Sequence, residues 1–536
     1  MTLLLPLLLA CGALLACGDR NPGEELVGIQ AVMAGEAVEA GETGCPDWYY
    51  DADADGYGDP DLRVRRCDEP VGYSSTSDDC DDISPLAFPG ATEVCGNGLD
   101  EDCDGADLPC ELPASGLLRD FATRVATITP DDEARQPLAM GDVNGDGQAD
   151  LVLGRPDLDS NSGRARILWG PLEAEREDWD AEVAFLDVGG DGDSLGAAVL
   201  AGFDADGDGV DDLVLGAPQR LLGDRGAAIL LPGPLSDTTW AEDGLTFHTS
   251  SGAEGLGATL AGGLDLTGDA VPDLVLGSCC DGASPGWVLP GPVTSSDLAS
   301  TAFKITPAGG ARQSFDAMAV GDATGDGIAE LAVGESTPDS GPQEGRAWLI
   351  EGPIDGALDL FDAQTRFFST SSQDSFASTL LLADLDDDGL DDLVVGAPLR
   401  EEAGVPLGMV FVLLAPASRG AIADTLATTT LVGTAAEPYI GFSVQALQLD
   451  GAGPPELLVG APVMDGFAGG VLVFADTRAG GTVTVADRRW AATAANGLVG
   501  WWMSAGADLD GDGAPDAVVA GLDDSGSGEA WILQGL

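Results

Sequence analysis

The stretch LADLDDDGLDDLVVGAP, residues 382–398, places an acidic cluster between two apolar runs. Asp384, Asp386, Asp388 and Asp392 lie within nine residues of a chain whose formal net charge is −70. Taken alone, an acidic run is most simply a solvated loop. The neighbouring sequence decides between a solvated loop and a functional one, because the same pattern returns along the chain.

The acidic pattern recurs seven times at intervals of roughly 61 residues, with first loop positions at Asp142, Asp204, Asp265, Asp322, Asp384, Gln448 and Asp508. Each repeat also contains four short apolar runs bounded by Gly and Pro, which is typical of β-strands. Four strands in a repeat of this length are typical of one propeller blade. The sequence therefore predicts an all-β protein with a seven-bladed β-propeller over residues 112–536.

The two ends of the repeat region are out of phase. The segment FATRVATITP at 121–130 reads as a fourth strand with no first three before it, whereas the last repeat supplies only three strands, ending in EAWILQGL. We expect the N-terminal strand to complete the last blade, which would remove an exposed sheet edge.

The repeats resemble the FG-GAP repeats of the integrin α-subunit seven-bladed propeller. Leu-Gly or Phe-Ser precedes first strands at 194–197 and 375–378, and Gly-Ala-Pro follows second strands at 216–218, 396–398 and 460–462. The resemblance covers about four-fifths of the chain. It implies a binding or adhesion module, with the acidic loops on the face opposite the usual ligand surface.

The best acidic loops follow the pattern D-x-[DN]-x-D-G-x-x-D, with side-chain oxygens at positions 1, 3, 5 and 9. Glycine at position 6 permits a sharp turn, so the oxygens can surround one hard cation, and Ca²⁺ is the natural occupant. The complete copies are loop one (Asp142, Asn144, Asp146, Asp150), loop two (Asp204, Asp206, Asp208, Asp212), loop five (Asp384, Asp386, Asp388, Asp392) and loop seven (Asp508, Asp510, Asp512, Asp516).

Three loops depart from the pattern. Loop three (Asp265, Thr267, Asp269, Asp273) lacks the glycine, and loop four (Asp322, Thr324, Asp326, Glu330) ends in Glu, so we expect both to bind more weakly. In loop six the aligned residues are Gln448, Asp450, Ala452 and Glu456, and we expect no ion there. Whether calcium clamps the hairpins or also takes part in ligand binding stays open.

Residues 45–111 form a second region, with six cysteines (Cys45, Cys67, Cys80, Cys95, Cys103, Cys110) that are typical of an exported disulfide module. The segment resembles the MopE-type metal-binding repeat, with Cys45 and Cys110 flanking it as a clasp. It offers two further calcium-type loops: Asp51, Asp53, Asp55 and Asp59, and then Asp100, Asp102, Asp104 and Glu111. Copper is not expected, because copper sites use imidazole or soft sulfur and the chain holds one histidine, His248. A disulfide-stapled spacer is the simpler alternative.

The first residues, MTLLLPLLLACGALLACGDRN, have the length of a signal-peptide core. They resemble a bacterial lipoprotein signal over 1–16, with Cys17 as the lipidated residue, followed by a flexible tether over 17–44. An ordinary cleaved signal is the alternative, as is lipidation at Cys11. The resemblance implies an outer-membrane lipoprotein.

The composition restricts the function. With 92 acidic against 22 basic residues, the chain repels phosphate backbones, so nucleic acid is not expected as a partner. We expect no enzyme but a monomeric, calcium-loaded propeller that binds an extracellular protein or glycan; the alternative is a hydrolase acting on an extracellular polymer through a carboxylate pair. The expected ligand face, opposite the calcium loops, carries Arg155, Arg220 and Arg225, whose guanidinium groups could hold carboxylates or sulfates.

Overall fold

The computed structural model describes the residues that we consider from here on. These are 45–53, 56–68, 70–77, 79–80, 84, 87–89, 103, 115–118, 122–127, 137–156, 162–172, 181–183, 193–219, 226–236, 239–249, 255–279, 284–307, 315–336, 345–417, 419–449, 453–478, 480–492, 497–522 and 528–535. The chain divides into two compact units, Met1–Cys110 and Glu111–Leu536. The predicted signal peptide, tether and Cys17 lie outside the described residues.

The N-terminal unit contains one small sheet, in which Asp47–Tyr50 pairs on one side with Asp59–Arg65 and on the other with Tyr73–Ser74. Disulfides join Cys45 to Cys67 and Cys80 to Cys103. The predicted clasp between Cys45 and Cys110 is therefore wrong, because Cys45 closes the local hairpin instead. Cys95 and Cys110 lie outside the described residues. Disulfides of this kind stabilise a region too small to bury a large core.

In its described residues the C-terminal unit contains seven sheets with four antiparallel strands each, numbered here by repeat, besides one two-stranded hairpin. Sheet one comprises Leu138–Gly141, Asp150–Arg155, Arg164–Leu168 and Ala181–Val183; sheet two comprises Val199–Leu200, Leu213–Ala217, Ala227–Leu231 and Leu245–Phe247; sheet three comprises Leu256–Gly262, Leu274–Ser278, Gly286–Leu289 and Phe303–Thr306; sheet four comprises Ala317–Gly321, Glu330–Glu335, Arg346–Ile350 and Thr365–Phe368. Within each sheet the strands pair in chain order, so each repeat folds as a four-stranded meander.

The remaining sheets follow the same order. Sheet five comprises Thr379–Ala383, Asp392–Ala397, Met409–Leu413 and Thr429–Val432; sheet six comprises Val444–Leu447, Glu456–Gly460, Gly470–Phe474 and Arg488–Ala491; sheet seven comprises Trp502–Ala507, Asp516–Leu522, Gly528–Leu533 and, from the N-terminal side, Thr123–Thr127. Thr123–Thr127 pairs antiparallel with Gly528–Leu533. The prediction that an N-terminal strand supplies the fourth strand of the last repeat is thereby confirmed.

Short parallel strands join several sheets to the following repeat, and we call them linking strands. Leu358–Asp359, Gly420–Ala423 and Gly481–Val483 each precede the fourth strand of their own repeat and pair with the fourth strand of the sheet before it. Ser115–Leu117 pairs in the same way with sheet six, just before Thr123–Thr127 enters sheet seven. The N-terminal segment thus supplies both the linking strand and the fourth strand that the last repeat lacks.

The remaining short elements are the hairpin of Glu401–Glu402 with Val405–Pro406, the helical turns Leu298–Thr301 and Met464–Phe467, and the 3₁₀ turns Ala241–Asp243, Leu360–Asp362 and Asp424–Leu426. Among the described residues, no helix has the length and apolar character needed to cross a membrane.

The core consists of seven apolar clusters, and each cluster lies between two sheets that are consecutive in the chain or between sheets seven and one. The seven–one cluster includes Leu151 and Leu153 of sheet one with Val518 and Ile532 of sheet seven. The second strands are buried on both faces, as in the fully buried Asp392–Ala397. This explains why their sequences are continuous apolar runs rather than alternating ones. First strands of successive sheets also contact one another, and the first strand of sheet seven contacts that of sheet one.

The Gly of Gly-Ala-Pro allows neighbouring sheets to approach closely. A Cβ atom at Gly216 would overlap the carbonyl oxygen of Gly257 in the next repeat, and a Cβ atom at Gly460 would overlap that of Gly500. Gly257 and Gly500 have positive φ angles of 84° and 89°, which side chains disfavour. The glycine after the second strand of one repeat and the glycine before the first strand of the next repeat are therefore both needed for the same close contact between backbones.

Two matched truncations test the role of the N-terminal strands. A chain starting at residue 112 keeps both strands, whereas a chain starting at residue 128 loses the fourth strand of sheet seven and the linking strand of sheet six. We expect the shorter chain to melt at least ~10 °C lower and to aggregate through the exposed edges. Thermal melting and size-exclusion chromatography measure this. Equal melting temperatures and monomeric elution of both chains would show that these strands do not hold the fold.

Candidate metal centres

Each acidic loop connects the first and second strands of its sheet, and in every loop except loop six a carboxylate occupies position 1. In loop two, Asp204 Oδ1 accepts hydrogen bonds from the backbone N–H groups of Gly207 (2.6 Å) and Asp208 (3.1 Å), and its Oδ2 accepts one from Gly209 (2.8 Å). Gly207 and Gly209 have φ angles of 86° and 95°, which explains the glycines at these turns. The side chain thus fixes the turn that brings the later ligands back toward it.

The position-9 carboxylate is buried under the loop and joins it to the rest of the sheet. Asp212 is fully buried, and its Oδ2 accepts from the N–H groups of Ala205 (2.8 Å) and Asp206 (3.1 Å). Its Oδ1 accepts from Gly233 N–H (2.8 Å), just beyond the third strand. The equivalent acids are also buried and accept from the backbone at the same relative positions: Asp150, Asp273, Glu330, Asp392, Glu456 and Asp516.

In three loops the carboxylates of positions 1, 3 and 9 converge. Each residue of these groups offers an oxygen within 4.8 Å of the oxygens of the other two: Asp204, Asp206 and Asp212; Asp384, Asp386 and Asp392; Asp508, Asp510 and Asp516. The position-5 acids predicted with them (Asp208, Asp388, Asp512) lie outside the groups and accept instead from the position-7 N–H at 2.8–2.9 Å. The structure therefore brings together three of the four predicted side chains in loops two, five and seven.

Loop one has the same backbone with an amide at position 3. Asn144 Oδ1 accepts from Asp146 N–H (2.8 Å), while its Nδ2 donates to Asp150 Oδ1 (3.3 Å) and Asp146 Oδ2 (3.1 Å). Asp142 accepts from Gly145 and Gly147, as position 1 does in loop two. Reorienting the Asn144 amide would turn its oxygen toward the same centre.

Loops three and four keep the turn with altered ligands. In loop three, Ala270 replaces the glycine and adopts a φ of 67°, which strains a residue with a Cβ. The hydroxyls of Thr267 and Thr324 donate to the position-9 acids Asp273 and Glu330, both at 3.4 Å. Asp265 and Asp322 still accept from the backbone, whereas Asp269 and Asp326 occupy position 5 and accept from Val271 and Ile328. The fold of the loop thus survives the loss of carboxylates.

Loop six is held by hydrogen bonds in which an amide replaces the position-1 acid. The Nε2 atom of Gln448 donates to the carbonyl of Gly453 (2.6 Å), and Leu449 N–H donates to buried Glu456 (2.8 Å). The intervening residues 450–452 lie outside the described residues. A neutral side chain spanning the turn needs no cation, and the absence of an ion from loop six stays a prediction.

Burial raises the pKa of the position-9 acids far above the ordinary carboxyl value. The pKa rises to about 7 for Asp150, Asp392 and Asp516 and to about 6 for Asp212, with desolvation as the largest cause and backbone N–H bonds opposing it. Neighbouring acids contribute as well, since the charge of Asp206 raises the pKa of Asp212. The pKa of Asp206 is itself raised, first by burial and then by the charge of Asp208. A bound cation would offset both the burial and the repulsion.

The donor set fits a hard divalent cation. The converging side-chain atoms are all carboxylate oxygens, with neither imidazole nor thiolate among them. Hard cations such as Ca²⁺ and Mg²⁺ prefer oxygen ligands, and flexible cages with several carboxylates suit Ca²⁺. Asp204, Asp384 and Asp508 with their partners would hold the ion.

The acidic loops of the N-terminal module form no comparable group among the residues that the structure describes. Asp51 Oδ2 accepts from Gly56 N–H at 3.3 Å, and Asp53 and Asp59 lie in the same turn. Asp55, Asp100, Asp102, Asp104 and Glu111 lie outside the described residues.

The predicted ligand-face arginines do not present a basic surface in the described part of the chain. Arg155 is 1% exposed, so its guanidinium lies inside the protein, which argues against a direct contact with a surface polymer. Arg220 and Arg225 lie outside the described residues. Arg155 ends a second strand whose every residue is buried, and this explains its burial.

Sequence reasoning missed the position-8 acids that link neighbouring repeats. Asp211 Oδ2 accepts from the N–H of Asp142 in loop one (3.0 Å), and Asp391 Oδ2 accepts from that of Asp322 in loop four (2.7 Å). Burial raises the pKa of both Asp211 and Asp391. The signal was the doubled aspartate in VDDL and LDDL, where only the second aspartate completes the calcium pattern.

A backbone contact also fastens loops one, two, three and seven to the adjoining repeat. The N–H groups of Leu235, Val293 and Ile354 donate to the carbonyls of Val143, Ala205 and Leu266, at 2.7–2.8 Å. Leu172 of repeat one makes the same bond to Leu509 of loop seven (2.6 Å). Each donor directly follows the Gly-Pro pair after the third strand of its repeat. The acidic loop of one repeat is therefore hydrogen-bonded to the Gly-Pro segment of the adjoining repeat.

Comparison with known proteins agrees with these motifs. The FG-GAP repeat family matches residues 138–168, 195–231 and 376–413, and a family described as a "putative metal-binding motif", of MopE type, matches residues 79–107. Integrin alpha-PS2 of Drosophila melanogaster is 30% identical over 169 residues, which cover 29% of this chain and 11% of that protein. Integrin alpha-7 of Mus musculus is 32% identical over 151 residues, covering 27% and 12%. The matched segment spans about a tenth of each relative.

Among solved structures, BBS1N in complex with ARL6DN, soaked with mercury, superimposes with a TM-score of 0.45 at 13% identity, covering 77% of this chain and 98% of that chain. At that TM-score the similarity carries no weight for the fold. The chain therefore contains FG-GAP repeats and a MopE-type motif, and it is similar to segments of integrin α subunits.

Two substitutions in loop five distinguish a residue needed only for ion binding from one that also stabilises the fold. Asp386→Asn should remove one bound ion while changing the free energy of unfolding of the chelated protein by less than about 0.5 kcal/mol, because Asp386 is a surface ligand. Asp392→Asn should also lower that free energy by about 1–3 kcal/mol, because its carboxylate accepts buried N–H bonds from Leu385 and Ala415. Calorimetric calcium titration and chemical denaturation measure both. An unchanged ion count in Asp386→Asn would exclude loop five as a site.

The raised pKa values predict opposite pH dependence with and without calcium. In the calcium-free protein, acids with a folded pKa of about 7 and an unfolded value near 4 bind more protons when folded, so stability falls as pH rises from about 4 to 7. Calcium needs the deprotonated form, so its stabilisation grows over the same interval. The difference in melting temperature between calcium-loaded and calcium-free protein should increase from pH 5 to pH 8. A constant difference would place the ions away from these acids.

Proposed function

We propose that residues 112–536 form a seven-bladed β-propeller that binds Ca²⁺ in its first-to-second-strand loops and serves as a lipid-anchored adhesion or ligand-binding module at the cell surface. The observation that carries the proposal is the repetition of one oxygen cage at the same turn of sheets two, five and seven. Isolated acidic turns are common, but a cage recurring in register indicates one shared use.

The cyclic order of contacts supports the propeller. Seven apolar clusters lie between successive sheets, with one of them between sheets seven and one. The bond from Leu172 to Leu509 repeats across that junction the contact seen within the chain. The N-terminal strand Thr123–Thr127 completes the last sheet, which is a way for a propeller to avoid an exposed sheet edge.

Calcium would serve as a clamp at the junctions between blades. Loops two and seven also receive a backbone bond from the adjoining repeat, at Ala205 and Leu509, so an ion that orders either loop would order that junction as well. Each site saturated at about 100 times its dissociation constant would contribute roughly 2.7 kcal/mol. Six ions would also offset about twelve negative charges in a chain of net charge −70.

The similarity to integrin α segments supports binding rather than catalysis, and an extracellular protein or glycan is the proposed partner. The geometry offers the hydrolase alternative no support, because the converging carboxylates sit in turns and accept backbone bonds around one centre. For the anchor we propose diacylation of Cys17 in the outer membrane, with 17–44 as the tether and the protein acting as a monomer.

One experiment tests anchor and binding together. Cells producing the full chain should carry it in the membrane fraction, and cells producing Cys17→Ser should release it. The released protein, applied to glycan and protein arrays, should bind a defined set of spots in calcium and lose most of that binding after chelation. Retention of Cys17→Ser in the membrane would disprove the Cys17 anchor. Arrays without a calcium-dependent signal would disprove the binding function.

A further inference from the structure

The single lysine and the single histidine of the chain line the same cleft. Lys304 and His248 are 56 positions apart in a sequence with 92 acidic residues, yet both border one cavity of about 440 Å³. Trp287 and the segment Ser295–Asp297 complete the part of the lining that matters here. This cleft lies apart from the acidic loops and shares none of their ligands.

The cleft arises where repeat three lacks a linking strand. In repeats four, five and six the connection between the third and fourth strands forms a linking strand against the preceding sheet. In repeat three the corresponding connection, residues 290–302, is fully described and contains the helical turn Leu298–Thr301 but no strand. The fourth strand of sheet two, Leu245–Phe247, therefore has no described fifth partner, and the space beside it remains open.

An alignment with repeat four shows what the missing strand would have covered. There, Leu358 pairs with Ile305 of sheet three, and Asp359 begins the following turn by accepting from Phe361 N–H. Asp297 begins the turn of repeat three in the same way, accepting from Ala299 N–H at 3.2 Å. Ser296 and Asp297 thus occupy the place of the linking strand, and together with Ser295 they line the cleft instead.

The lining combines an apolar wall with groups that recognise a small acidic sugar. Trp287 is 7% exposed and lies beside Lys304 in register on the neighbouring strand, so it offers a fixed apolar surface. Lys304 and His248 are both exposed and can donate to a ligand from the rim. Pockets that combine apolar walls with a few converging polar groups are typical ligand sites.

The charges favour a carboxylate over a phosphate. Lysine provides a compact point charge, whereas phosphate recognition commonly uses several cations or a guanidinium fork, and no arginine is among the described residues that line this cleft. The carboxylate of Asp297 already accepts bonds from Ala299 N–H and the Ser300 hydroxyl, so it is held by its own turn. Serine hydroxyls can both donate to and accept from the hydroxyl groups of a sugar.

We infer that this cleft binds a uronic acid, with Lys304 on the carboxylate, His248 and the serine hydroxyls on the sugar hydroxyls, and the ring against Trp287. The site is additional to the proposed calcium-dependent function and does not rest on it.

The composition of the chain makes the test unusually specific. Full-length protein labelled with ¹³C only in lysine and histidine gives one side-chain lysine signal and one side-chain histidine signal. In saturating calcium, titration with sodium glucuronate should shift both signals with one saturable dissociation constant. Glucose, which lacks the carboxylate, should bind at least about tenfold more weakly.

Two variants that each remove one positive charge distinguish binding in the cleft from a general effect of the net charge of the protein. Lys304→Gln should weaken glucuronate binding about tenfold, as read from the His248 signal. Arg478→Gln, which removes an exposed charge paired with Asp476 in sheet six's repeat, should leave binding within about twofold. Equal weakening by both variants, equal binding of glucose, or no saturable shift in the millimolar range would overturn the inference. The melting temperature of Lys304→Gln, expected to match the unaltered protein, verifies that it is folded.

Discussion

The buried carboxylate at position 9 of each acidic loop is the interaction on which the C-terminal unit depends. In every loop it accepts an N–H bond from the residue at position 2, and Asp212 accepts from Ala205 and Asp206 of its own loop and from Gly233 beyond the third strand. All seven repeats keep an acid there, including loop six, where the other ligand positions have changed. The position-9 acid is therefore the one that every repeat keeps, whereas the acids at positions 1 and 3 vary and would complete an ion site only where they are present. A loop that has lost those acids still keeps its hairpin.

Burying an acid in every repeat has an electrostatic cost, and this cost connects the fold to the metal. Desolvation raises the pKa of Asp150, Asp392 and Asp516 to about 7, so near neutral pH these groups are balanced between a proton and a negative charge. Backbone N–H bonds offset part of the cost, and a divalent cation beside the carboxylate would offset the rest. The chain can thus carry many acids inside its loops as long as cations replace the protons.

The sequence predicted those features that repeat. Seven in-phase copies identified the four-stranded meanders, and the phase difference between the ends identified the strand that Thr123–Thr127 adds to sheet seven. Features that occur once were predicted poorly. Arg155 was assigned to the ligand face because it was placed in the connection after the second strand, but it is the last residue of that strand, which is buried on both faces. The pairing of Cys45 with Cys67 depends on a hairpin register, which cysteine spacing does not determine.

Contacts between repeats explain both the missed residues and the cleft. The bond from Asp142 N–H to Asp211 joins residues 69 positions apart, and Lys304 and His248 line one cleft beside the connection 290–302, which forms a helical turn and no linking strand. The sequence of a single repeat shows neither contact, because each contact joins residues of two different repeats. Since the repeated backbone supplies stability through its common contacts, a single repeat can depart from the pattern without loss of the fold. Departures such as residues 290–302 are therefore the places where a repeat protein of this kind can acquire a specific site, and the chain has placed its only lysine and only histidine at this one.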